Sequence, residues 1–512
     1  VQERGAFWGA LAERLGFRFA EAPSAPLDAS PGVEEARWFP GARLNATQSC
    51  FQAAGDAPAI VFQREGGELE RWSYDELRAL TGRVANGLVA AGFVAGDAIA
   101  IDMPMTPESV AIYLGIIRAG CAAISIADSF SPAEIATRLR IGAAKGVFTQ
   151  DVLLRAGKTL PLFAKVQDAE APRAIVLPAT SGGELQVELR EGDLAWGDFL
   201  SEREPFADVL SEPDALTNVL FSSGTTGEPK GVMLTHSNFT ALLASLQGTL
   251  DVRRGDRLLS VLPLFHTFEF SCGFLMPLSK GAHITYLEEI EGGLLRSAMK
   301  DVRPNGMIGV PALWDVLHRR IETQVNDKGD AARLTYTSML RLSRWLRKNY
   351  GINIGPLVFR EVHDIMGGRI RHLISGGAAL SEPVLNAFEG LGFELLEGYG
   401  LTEAAPVLTV RRPGDRKGGG SVGKQLPGVE VQIINPDESG VGEVIARGDN
   451  VMAGYLNDRE STNSTVRKGW LHTGDLGKLD KDGRLVLVGR RKELIVTSSG
   501  KNVYPDELEP LY

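Results

Sequence analysis

The sequence predicts an α/β protein built from parallel sheets with helices on both faces, which is a doubly wound arrangement. Strand and helix patterns alternate from Asn45 to about Leu216, and the alternation resumes after a glycine-rich stretch that ends at Gly231. Such alternation is typical of parallel strands joined by crossover helices. From Gly418 onward, short β runs separated by turn residues predict a small, mostly β lobe.

The first half of the chain supplies regular elements. Ser73 opens a predicted helix that extends to Ala91, and acidic residues occupy its first turn, where negative charge is favoured. The elements that follow are predicted strands at 98–103, 121–126 and 146–149 and predicted helices at 107–119 and 132–141. Residues 110–127 are apolar enough to suggest a membrane span, but Arg118, two glycines and Ser125 interrupt them. We therefore predict a buried helix followed by a buried strand.

The second half continues with a predicted helix at 238–250, a strand at 257–262, a helical segment at 271–280 and a strand at 283–287. Residues 321–366 form the most basic helical region, with Arg341, Arg344, Arg347 and Lys348. We interpret this region as a solvated helical pair, and the alternative is a face that binds a membrane surface or a partner. Predicted strands of the β lobe lie at 429–434, 442–446 and 485–488.

Composition narrows the class of protein. At 512 residues the chain is expected to form two or more domains or lobes, and its net charge of -10 argues against a general nucleic-acid binder. Three widely separated cysteines indicate neither a metal site nor a disulfide framework. The chain begins without a signal-peptide pattern, so we expect a cytoplasmic protein without an integral membrane segment, although peripheral membrane contact stays open.

The segment from Phe221 to Gly231 carries the strongest chemical signal. An apolar strand leads into hydroxyls, glycines and one lysine: Ser222, Ser223, Gly224, Thr225, Thr226, Gly227 and Lys230. Glycines allow backbone N–H groups to converge on a polyphosphate, the hydroxyls donate further hydrogen bonds, and the lysine supplies charge. A flexible loop is the alternative, but it would not require this density of small donors. A Walker-type loop is excluded because Lys230 lies between Pro229 and Gly231 instead of preceding Ser or Thr.

Four further motifs follow in order, and together the five resemble those of the adenylate-forming superfamily, which includes acyl-CoA synthetases, luciferases and peptide-synthetase adenylation domains. They are Ser375-Gly376-Gly377-Ala378, Glu397-Gly398-Tyr399-Gly400-Leu401-Thr402-Glu403, Trp470-Leu471-His472-Thr473-Gly474-Asp475 and Gly489-Arg490-Arg491-Lys492-Glu493. The resemblance covers nearly the whole chain. It implies a large N-terminal domain of two doubly wound α/β subdomains with the β lobe, followed by a C-terminal α+β domain.

The resemblance also implies roles for these motifs. The second motif would line the adenine, and the third would stack the base and reach the α-phosphate and Mg²⁺, with Glu403 as the metal ligand. Asp475 would hold the ribose hydroxyls, Arg490 would pair with ribose and phosphate oxygens, and Lys492 would be a hinge. The catalytic residues would be Thr226, Lys230, His266, Thr402 and Glu403. An ordinary turn is the alternative for Asp475, and a histidine at the edge of the core is the alternative for His266.

The acyl pocket implied by the resemblance has its walls at His266, Val310, Gly376, Gly400 and Leu401. Residues Trp38 to Asn45 are similar to the start of acetyl- and propionyl-CoA synthetases. Those enzymes block the pocket with a tryptophan where this chain has Gly400, so longer acids are expected to fit. Residues 263–367 look more like medium- or long-chain fatty acyl-CoA synthetases. We therefore predict a medium- or long-chain fatty acid as substrate.

The predicted activity is that of an AMP-forming acid–thiol ligase. ATP and Mg²⁺ would convert the acid to an acyl-adenylate, and CoA would accept the acyl group, with AMP and pyrophosphate released. Residues 499–505 resemble the thiol tunnel of acyl-CoA synthetases, with Gly500 and Lys501 beside pantetheine. Alternatives are an acyl-carrier-protein ligase or another adenylating enzyme, a short-chain acetyl- or propionyl-type synthetase, and a nucleotide-binding remnant without activity.

The expected domain boundaries are an extension at 1–44, a large domain at 45–491, and the hinge with the start of the C-terminal domain at 492–512. Within the large domain the subdomains would be 45–236 and 237–415, and the β lobe 416–491. The family's C-terminal domain normally continues further and carries a lysine that grips the acid and the phosphates. From the resemblance we expect only the start of a truncated C-terminal domain here, and hence poor adenylation by these residues alone.

Overall fold

A computed structural model describes residues 19–25, 27–28, 37–64, 68–155, 157–180, 182–222, 229–287, 292–415, 420–491, 495–496 and 502–503. In chain order its α-helices are α1 (Tyr74–Ala90), α2 (Pro107–Arg118), α3 (Pro132–Gly142), α4 (Leu162–Asp168), α5 (Trp196–Phe199), α6 (His236–Gln247), α7 (Met276–Ser279), α8 (Gly292–Val302), α9 (Pro311–Asn326), α10 (Asp330–Tyr350), α11 (Gly355–Val358), α12 (Arg360–Ile365), α13 (Glu382–Leu391) and α14 (Arg459–Thr465). Two 3₁₀ turns (Ala46–Cys50 and Thr402–Ala404) and one π-helix (Glu269–Leu275) complete the helical elements described.

The strands up to the glycine-rich stretch are β1 (Leu27–Asp28), β2 (Arg37–Trp38), β3 (Pro58–Gln63), β4 (Leu69–Ser73), β5 (Ala98–Asp102), β6 (Ala122–Ile126), β7 (Gly146–Gln150), β8 (Leu153–Arg155), β9 (Lys158–Leu160), β10 (Ala174–Leu177), β11 (Leu194–Ala195) and β12 (Leu216–Ser222). Those that follow are β13 (Lys230–Thr235), β14 (Arg257–Ser260), β15 (His283–Leu287), β16 (Gly306–Gly309), β17 (His372–Ser375), β18 (Leu395–Gly400), β19 (Val407–Val410), β20 (Lys424–Gln425), β21 (Glu430–Ile434), β22 (Gly442–Arg447), β23 (Gly454–Tyr455), β24 (Val466–Arg467), β25 (Trp470–Leu479), β26 (Leu485–Arg490), β27 (Ile495–Val496) and β28 (Asn502–Val503).

Two large sheets form the body of the protein. An eight-stranded sheet has the order β11-β10-β7-β5-β6-β12-β13-β23, and its strands from β11 to β12 run parallel. A nine-stranded sheet has the order β20-β19-β18-β17-β16-β14-β15-β3-β4, with parallel pairing from β18 to β3. The predicted α/β class with parallel sheets is therefore confirmed. A third, antiparallel sheet of β21, β22, β24, β25 and β26 forms the predicted β lobe.

Membership of the sheets does not follow chain order. β3 and β4 lie within the predicted first subdomain, yet β3 pairs in parallel with β15 of the nine-stranded sheet. β23 lies within the predicted β lobe, yet it pairs with β13 of the eight-stranded sheet. Hydrogen bonds between strands that are distant in sequence place β3, β4 and β23 in these sheets. A continuous range of residues therefore does not describe which strands share a sheet. The subdomain limits proposed from the sequence remain predictions.

Capping side chains determine where some of the helices begin. Ser73 caps α1 in a capping box, because its hydroxyl accepts from the Glu76 amide while the Glu76 carboxylate accepts from the Ser73 amide at 2.7 Å. The predicted helix at 238–250 begins earlier, at His236, because Thr235 provides the same cap. The predicted helical segment at 271–280 begins as a π-helix at Glu269, a form that often occurs at functional sites.

A continuous apolar core joins the elements of both large sheets. Helices α1 and α2 pack closely because Gly115 leaves room for the Val84 side chain, which a methyl group at position 115 would displace. The helix and strand predicted within 110–127 are both buried, as expected. The three cysteines are buried and unpaired. Among the described residues, every helix is too short or too polar to cross a bilayer.

Candidate functional site

The ends of the predicted phosphate loop are held by two antiparallel strands. Ser222 is the last residue of β12, Lys230 is the first residue of β13, and the two are paired across the ladder. The loop between them therefore starts and ends at adjacent positions. The phosphate contacts predicted for its other members remain predictions, because these residues lie outside the described part of the chain: Ser223, Gly224, Thr225, Thr226 and Gly227.

Lys230 and Glu403 lie on either side of Tyr455. The Lys230 ammonium is 5.0 Å from the centroid of the Tyr455 ring, and it donates to Ser461 Oγ at 2.7 Å. The Tyr455 hydroxyl donates to Glu403 Oε1 at 2.8 Å. Tyr455 and Ser461 are absent from the sequence predictions, because no local motif marks them. They reach the site through the pairing of β23 with β13. We name these four residues the Lys230–Glu403 cluster.

The Glu403 carboxylate suits the metal role predicted for it. Its side chain lies in the 3₁₀ turn that begins at Thr402 and is only 8% exposed. The Tyr455 hydroxyl donates to Glu403 Oε1, whereas no donor from the described residues reaches Glu403 Oε2. Mg²⁺ takes oxygen ligands and keeps several waters, so one open carboxylate oxygen beside a phosphate site fits it. Within the described ranges no group of three acidic, histidine or cysteine side chains converges, which is compatible with one protein ligand.

Tyr399, Asp475 and Arg490 form a second polar group. The Tyr399 hydroxyl donates to Asp475 Oδ2 at 2.6 Å, and Arg490 Nε lies 3.2 Å from Asp475 Oδ1. Asp475 and Arg490 are paired positions of β25 and β26, and Tyr399 comes from β18 of the nine-stranded sheet. Burial, followed by the charge of Asp475, raises the pKa of Tyr399 well above its usual value. The phenol therefore stays protonated and holds the carboxylate in place.

The predicted adenine segment follows β17 directly. The amide of Gly376 donates to the Gly309 carbonyl at 3.3 Å, which places the ends of β17 and β16 together. A methyl group added at Gly376 would meet the Phe268 ring at 2.9 Å, and one at Gly377 would meet Val310 at 3.8 Å. The predicted wall residues Val310 and Gly376 are thus brought together, and Phe268 is an additional neighbour. Ala378 continues the segment and is exposed.

His266 is exposed, although neighbouring residues partly desolvate its ring. Its ring lies against Phe265, with centroids 4.3 Å apart. Partial desolvation lowers the pKa of His266 below its usual value, which favours the neutral imidazole at neutral pH. The gating role implied by the resemblance stays a prediction.

Gly400 lies in a different environment from the one expected. A Cβ atom at this position would overlap the carbonyl oxygen of Pro406, whose segment runs antiparallel beside β18. The side-chain direction therefore points into neighbouring backbone and not into an open pocket. Gly398 faces Thr409 on the same ladder, and Leu401 packs against the core. The close approach of the Pro406 carbonyl thus explains why a glycine occupies position 400. The role of Gly400 in acid selection stays a prediction.

Glu397 pairs with a cation of its own. Its carboxylate lies 3.8 Å from Arg411, which also contacts Glu389 at 3.1 Å. Burial raises the pKa of Glu397 to about 7, and the charge of Arg411 opposes that rise. Arg411 and the Leu380 backbone therefore both interact with this carboxylate, and the nucleotide contact predicted for Glu397 stays a prediction.

A cavity of about 530 Å³ lies where β5 and β6 end, against residues 261–265. Ile101, Met103, Met105, Tyr113, Leu262 and Leu264 supply much of its apolar lining, and Asp128, Ser129 and Arg155 supply polar groups. The sequence predictions missed this cavity. Its position could have been anticipated, because ligands bind beyond the carboxyl ends of parallel strands where the strand order reverses, and β5 lies between β6 and β7.

Basic side chains surround the polar part of this cavity. Arg155 forms an ion pair with Asp128 at 2.8 Å, and Lys158 is paired with Arg155 across the β8–β9 hairpin. Lys165 donates to the Asp128 carbonyl at 3.0 Å. Arg155 lines the cavity, Lys165 contacts its Asp128, and Lys158 follows on the exposed hairpin, so cations outnumber the Asp128 carboxylate near this end, which favours a ligand with phosphate groups.

Two buried carboxyl groups lie beside this cavity. Asp102 ends β5 between two lining residues, and Glu269 accepts from Ser260 Oγ at 2.5 Å. Burial raises the pKa of each to about 8, and for Asp102 the nearby charge of Asp128 adds to the effect. Both groups are therefore largely protonated at neutral pH.

These raised pKa values predict a fall in stability with rising pH. The folded state retains protons that the unfolded chain has released, so the stabilising contribution is complete below the unfolded pKa near 4 and is lost as the pH rises through 8. We expect the free energy of unfolding to fall from about pH 5 to 8, and to fall less in Glu269→Gln. Urea titrations across this pH range measure the free energy of unfolding, with Glu382→Gln at an exposed position as the control. An equal fall in the free energy of unfolding for wild type and Glu269→Gln would contradict the prediction.

The remaining predicted site residues cannot be placed. Gly500 and Lys501, expected beside pantetheine, and Lys492, the expected hinge, lie outside the described residues. Their roles stay predictions.

Comparison with known proteins agrees with this arrangement. A family described as AMP-binding enzyme matches residues 47–456, and the acetyl-coenzyme A synthetase N-terminus matches residues 1–50. The chain is 42% identical to the probable peroxisomal acyl-activating enzyme 18 of Arabidopsis thaliana, over 45% of this chain and 34% of that protein. It is 30% identical to 4-coumarate–CoA ligase 1 of Solanum tuberosum (90% and 78%), and 28% identical to a human long-chain-fatty-acid–CoA ligase (89% and 65%).

The solved structure of ATP-bound MatB from Rhodopseudomonas palustris is 28% identical, with a TM-score of 0.70, covering 91% of this chain and 82% of that one. The chain spans about a third of the length of the plant acyl-activating relatives, at 33% to 36%. The match over residues 47–456 includes Lys230, Glu403 and Tyr455 of the Lys230–Glu403 cluster, and Tyr399. On these grounds, the chain belongs to the AMP-binding enzyme family.

Proposed function

We propose that this protein joins a carboxylic acid to CoA at the expense of ATP, through an acyl-adenylate. The observation that carries the proposal is the Lys230–Glu403 cluster, which places a cation and an open carboxylate at the mouth of the predicted phosphate loop. The reaction brings two anions together, so neutralisation of charge and positioning are the main requirements.

In the first half-reaction, a carboxylate oxygen of the acid attacks the α-phosphorus of ATP, the bond to the bridging oxygen breaks, and pyrophosphate leaves. Lys230 is proposed to neutralise phosphate charge, and Tyr455 to fix the orientation of Glu403. Mg²⁺ held at Glu403 would offset the remaining charge on the phosphates. The group formed by Tyr399, Asp475 and Arg490 is proposed to bind the ribose, since a fixed carboxylate accepts hydrogen bonds from both hydroxyls.

In the second half-reaction, the thiol sulfur of CoA attacks the acyl carbon, AMP leaves, and the thiol proton passes to solvent. We assign CoA to the cavity beyond β5 and β6. Its apolar lining suits the pantetheine chain, and its basic rim suits the phosphates of the nucleotide end. A cavity of about 530 Å³ is of the usual size for a small-molecule site.

The acid is proposed to be a medium- or long-chain fatty acid. Supporting this choice is the likeness of 89% of the chain to a long-chain-fatty-acid–CoA ligase, at 28% identity. The similarity to 4-coumarate–CoA ligase keeps an aromatic acid as the second candidate. Acid-dependent ATP–pyrophosphate exchange with a panel of fatty, short-chain and hydroxycinnamic acids separates the two. Absence of exchange with every acid, in the full-length protein, would refute the proposed adenylation.

If CoA binds in this cavity, removing the basic residues near it should impair the use of CoA and leave adenylation unchanged. The double variant Arg155→Ala, Lys158→Ala is expected to raise the KM for CoA by about 10-fold or more, because two cations at the phosphates are lost. The rate of acid-dependent ATP–pyrophosphate exchange, which needs no CoA, should stay within about twofold of wild type.

The matched control is Lys424→Ala, Lys481→Ala, which removes two exposed cations elsewhere on the surface. Thioester formation is followed with CoA and separately with holo-acyl-carrier protein as acceptor. An unchanged KM for CoA, or a preference for the carrier protein, would contradict the assignment.

A further inference from the structure

The surface of helix α10 and the residues that follow it carry large apolar side chains in contact with solvent. The exposed fraction is 72% for Leu334, 51% for Trp345, 63% for Tyr350 and 82% for Leu357. The Trp345 and Tyr350 rings contact each other, with centroids 5.2 Å apart. Large exposed apolar side chains concentrated in one region mark interaction surfaces on otherwise soluble folds.

Basic residues share the exposed side of this helix. Leu334, Arg341, Trp345 and Lys348 are separated by seven, four and three residues, so they lie on one face of α10. Arg341 and Lys348 are exposed, and no acidic side chain among the described residues pairs with either. We name this exposed side, together with the exposed apolar residues as far as Val358, the α10 face.

The opposite side of α10 is fixed to the protein. Arg344 Nε lies 3.5 Å from Glu389 of α13, and Arg347 donates to the carbonyl of Phe393 at 2.5 Å. These partly buried arginines therefore hold the helix against α13 and the residues that precede β18, and the α10 face lies on the outward side. Of the five basic residues of α10, Arg344 and Arg347 attach the helix, and the other three have no ion pair among the described residues.

A group of arginines lies at the same edge of the nine-stranded sheet. Glu394 contacts Arg347 of α10 at 4.0 Å and His372, the first residue of β17, at 3.2 Å. The exposed Arg369 lies three residues before His372, and Arg303 lies three residues before β16. Neither Arg303 nor Arg369 has an acidic partner among the described residues. Two further cations without an acidic partner among the described residues therefore lie just before β16 and β17.

We propose that the α10 face docks on a bilayer surface that contains anionic phospholipids. Tryptophan and tyrosine prefer the boundary between headgroups and acyl chains, and arginine and lysine are drawn to anionic headgroups. The protein as a whole carries a charge of -10, so this positive surface is a local departure from the general balance. It does not depend on which acid the enzyme activates.

The charge pattern of the α10 face favours an anionic bilayer over a second copy of the chain as its partner. Two α10 faces brought together would oppose Arg341 and Lys348 to the same residues of the other copy, without acidic partners from the face itself. Like charges placed opposite one another destabilise an interface. An anionic bilayer meets both features of the face, the cations and the exposed aromatic and aliphatic side chains.

The test is co-sedimentation of the full chain with vesicles. We expect binding to phosphatidylcholine–phosphatidylserine vesicles, and binding at least about 10-fold weaker to phosphatidylcholine alone and at high salt. Arg341→Glu, Lys348→Glu should weaken binding by about 25-fold or more, at roughly fivefold for each charge. Trp345→Ser, Leu357→Ser should weaken it by about 10-fold or more.

Control variants make the same changes elsewhere on the surface. Lys145→Glu, Lys481→Glu reproduces the change in charge, and Val94→Ser, at a side chain 64% exposed, reproduces the loss of apolar surface. ATP–pyrophosphate exchange and thermal midpoints verify that each variant is folded. Equal binding to both kinds of vesicle, or binding that the α10 variants leave unchanged, overturns the proposal. A dimer that Trp345→Ser dissociates also overturns it and assigns the face to a second copy.

Discussion

Glu403→Gln is expected to lower acid-dependent ATP–pyrophosphate exchange by about 100-fold or more, because it removes the one acidic group of the Lys230–Glu403 cluster. Glutamine keeps the size of the side chain and can still accept from the Tyr455 hydroxyl, as Glu403 Oε1 does at 2.8 Å. What it loses is the negative charge that would hold Mg²⁺ against the phosphates. The effect should therefore appear in the maximal rate and in the magnesium dependence, with little change in stability.

Tyr455→Phe is the matched comparison for this prediction. It removes the hydrogen bond to Glu403 but leaves the carboxylate charged and the aromatic ring beside Lys230. We expect a loss of about 10-fold or less, because only the orientation of the carboxylate is relaxed. Exchange that is unchanged in Glu403→Gln would contradict the metal role. A larger loss in Tyr455→Phe than in Glu403→Gln would place the main effect on the tyrosine.

Gly400→Ala is expected to destabilise the folded protein by about 1–3 kcal/mol or more, because the added methyl group would overlap the Pro406 carbonyl. Relief would require the backbones of β18 and β19 to separate at a paired position, Gly400 opposite Val407. The free energy of unfolding in urea measures the effect. Gly197→Ala is the control, since this exposed helical glycine has nothing within 4 Å of an added methyl group.

Gly400→Trp tests the acid-selection hypothesis against this geometry. If the position opens onto the acyl pocket, tryptophan should shift the preference from long acids to acetate in a protein that stays folded. The contact with Pro406 instead predicts that the tryptophan variant unfolds more readily than Gly400→Ala. A stable Gly400→Trp protein with a shortened acid preference would show that the backbone contact yields easily.

Much of the site could be anticipated because its residues occur in local motifs. The pairing of Ser222 with Lys230 and the group of Tyr399, Asp475 and Arg490 join residues that the motifs had already identified. Motifs cannot supply partners that arrive through distant strands. Tyr455 and Ser461 have no signature of their own, and they reach Lys230 only because β23 pairs with β13.

The sequence alone determined the α/β class, the order of most helices and strands, and the cap that begins α1. These features depend on periodicity and on neighbouring residues, as in the capping box of Ser73 and Glu76. It also provided the five motifs and, through them, the expectation of an ATP-dependent acid ligase.

Tertiary structure alone decided which strands share a sheet, where the cavity lies, and what surrounds each functional side chain. The pairing of β3 with β15 exchanges elements between the predicted subdomains, and the overlap with Pro406 changes the meaning of Gly400. The α10 face likewise depends on which side of the helix Glu389 and Glu394 hold against the sheet. Most of these are contacts between residues far apart in the chain, and even the Gly400–Pro406 contact depends on how β18 pairs with the next strand, which local sequence patterns do not specify.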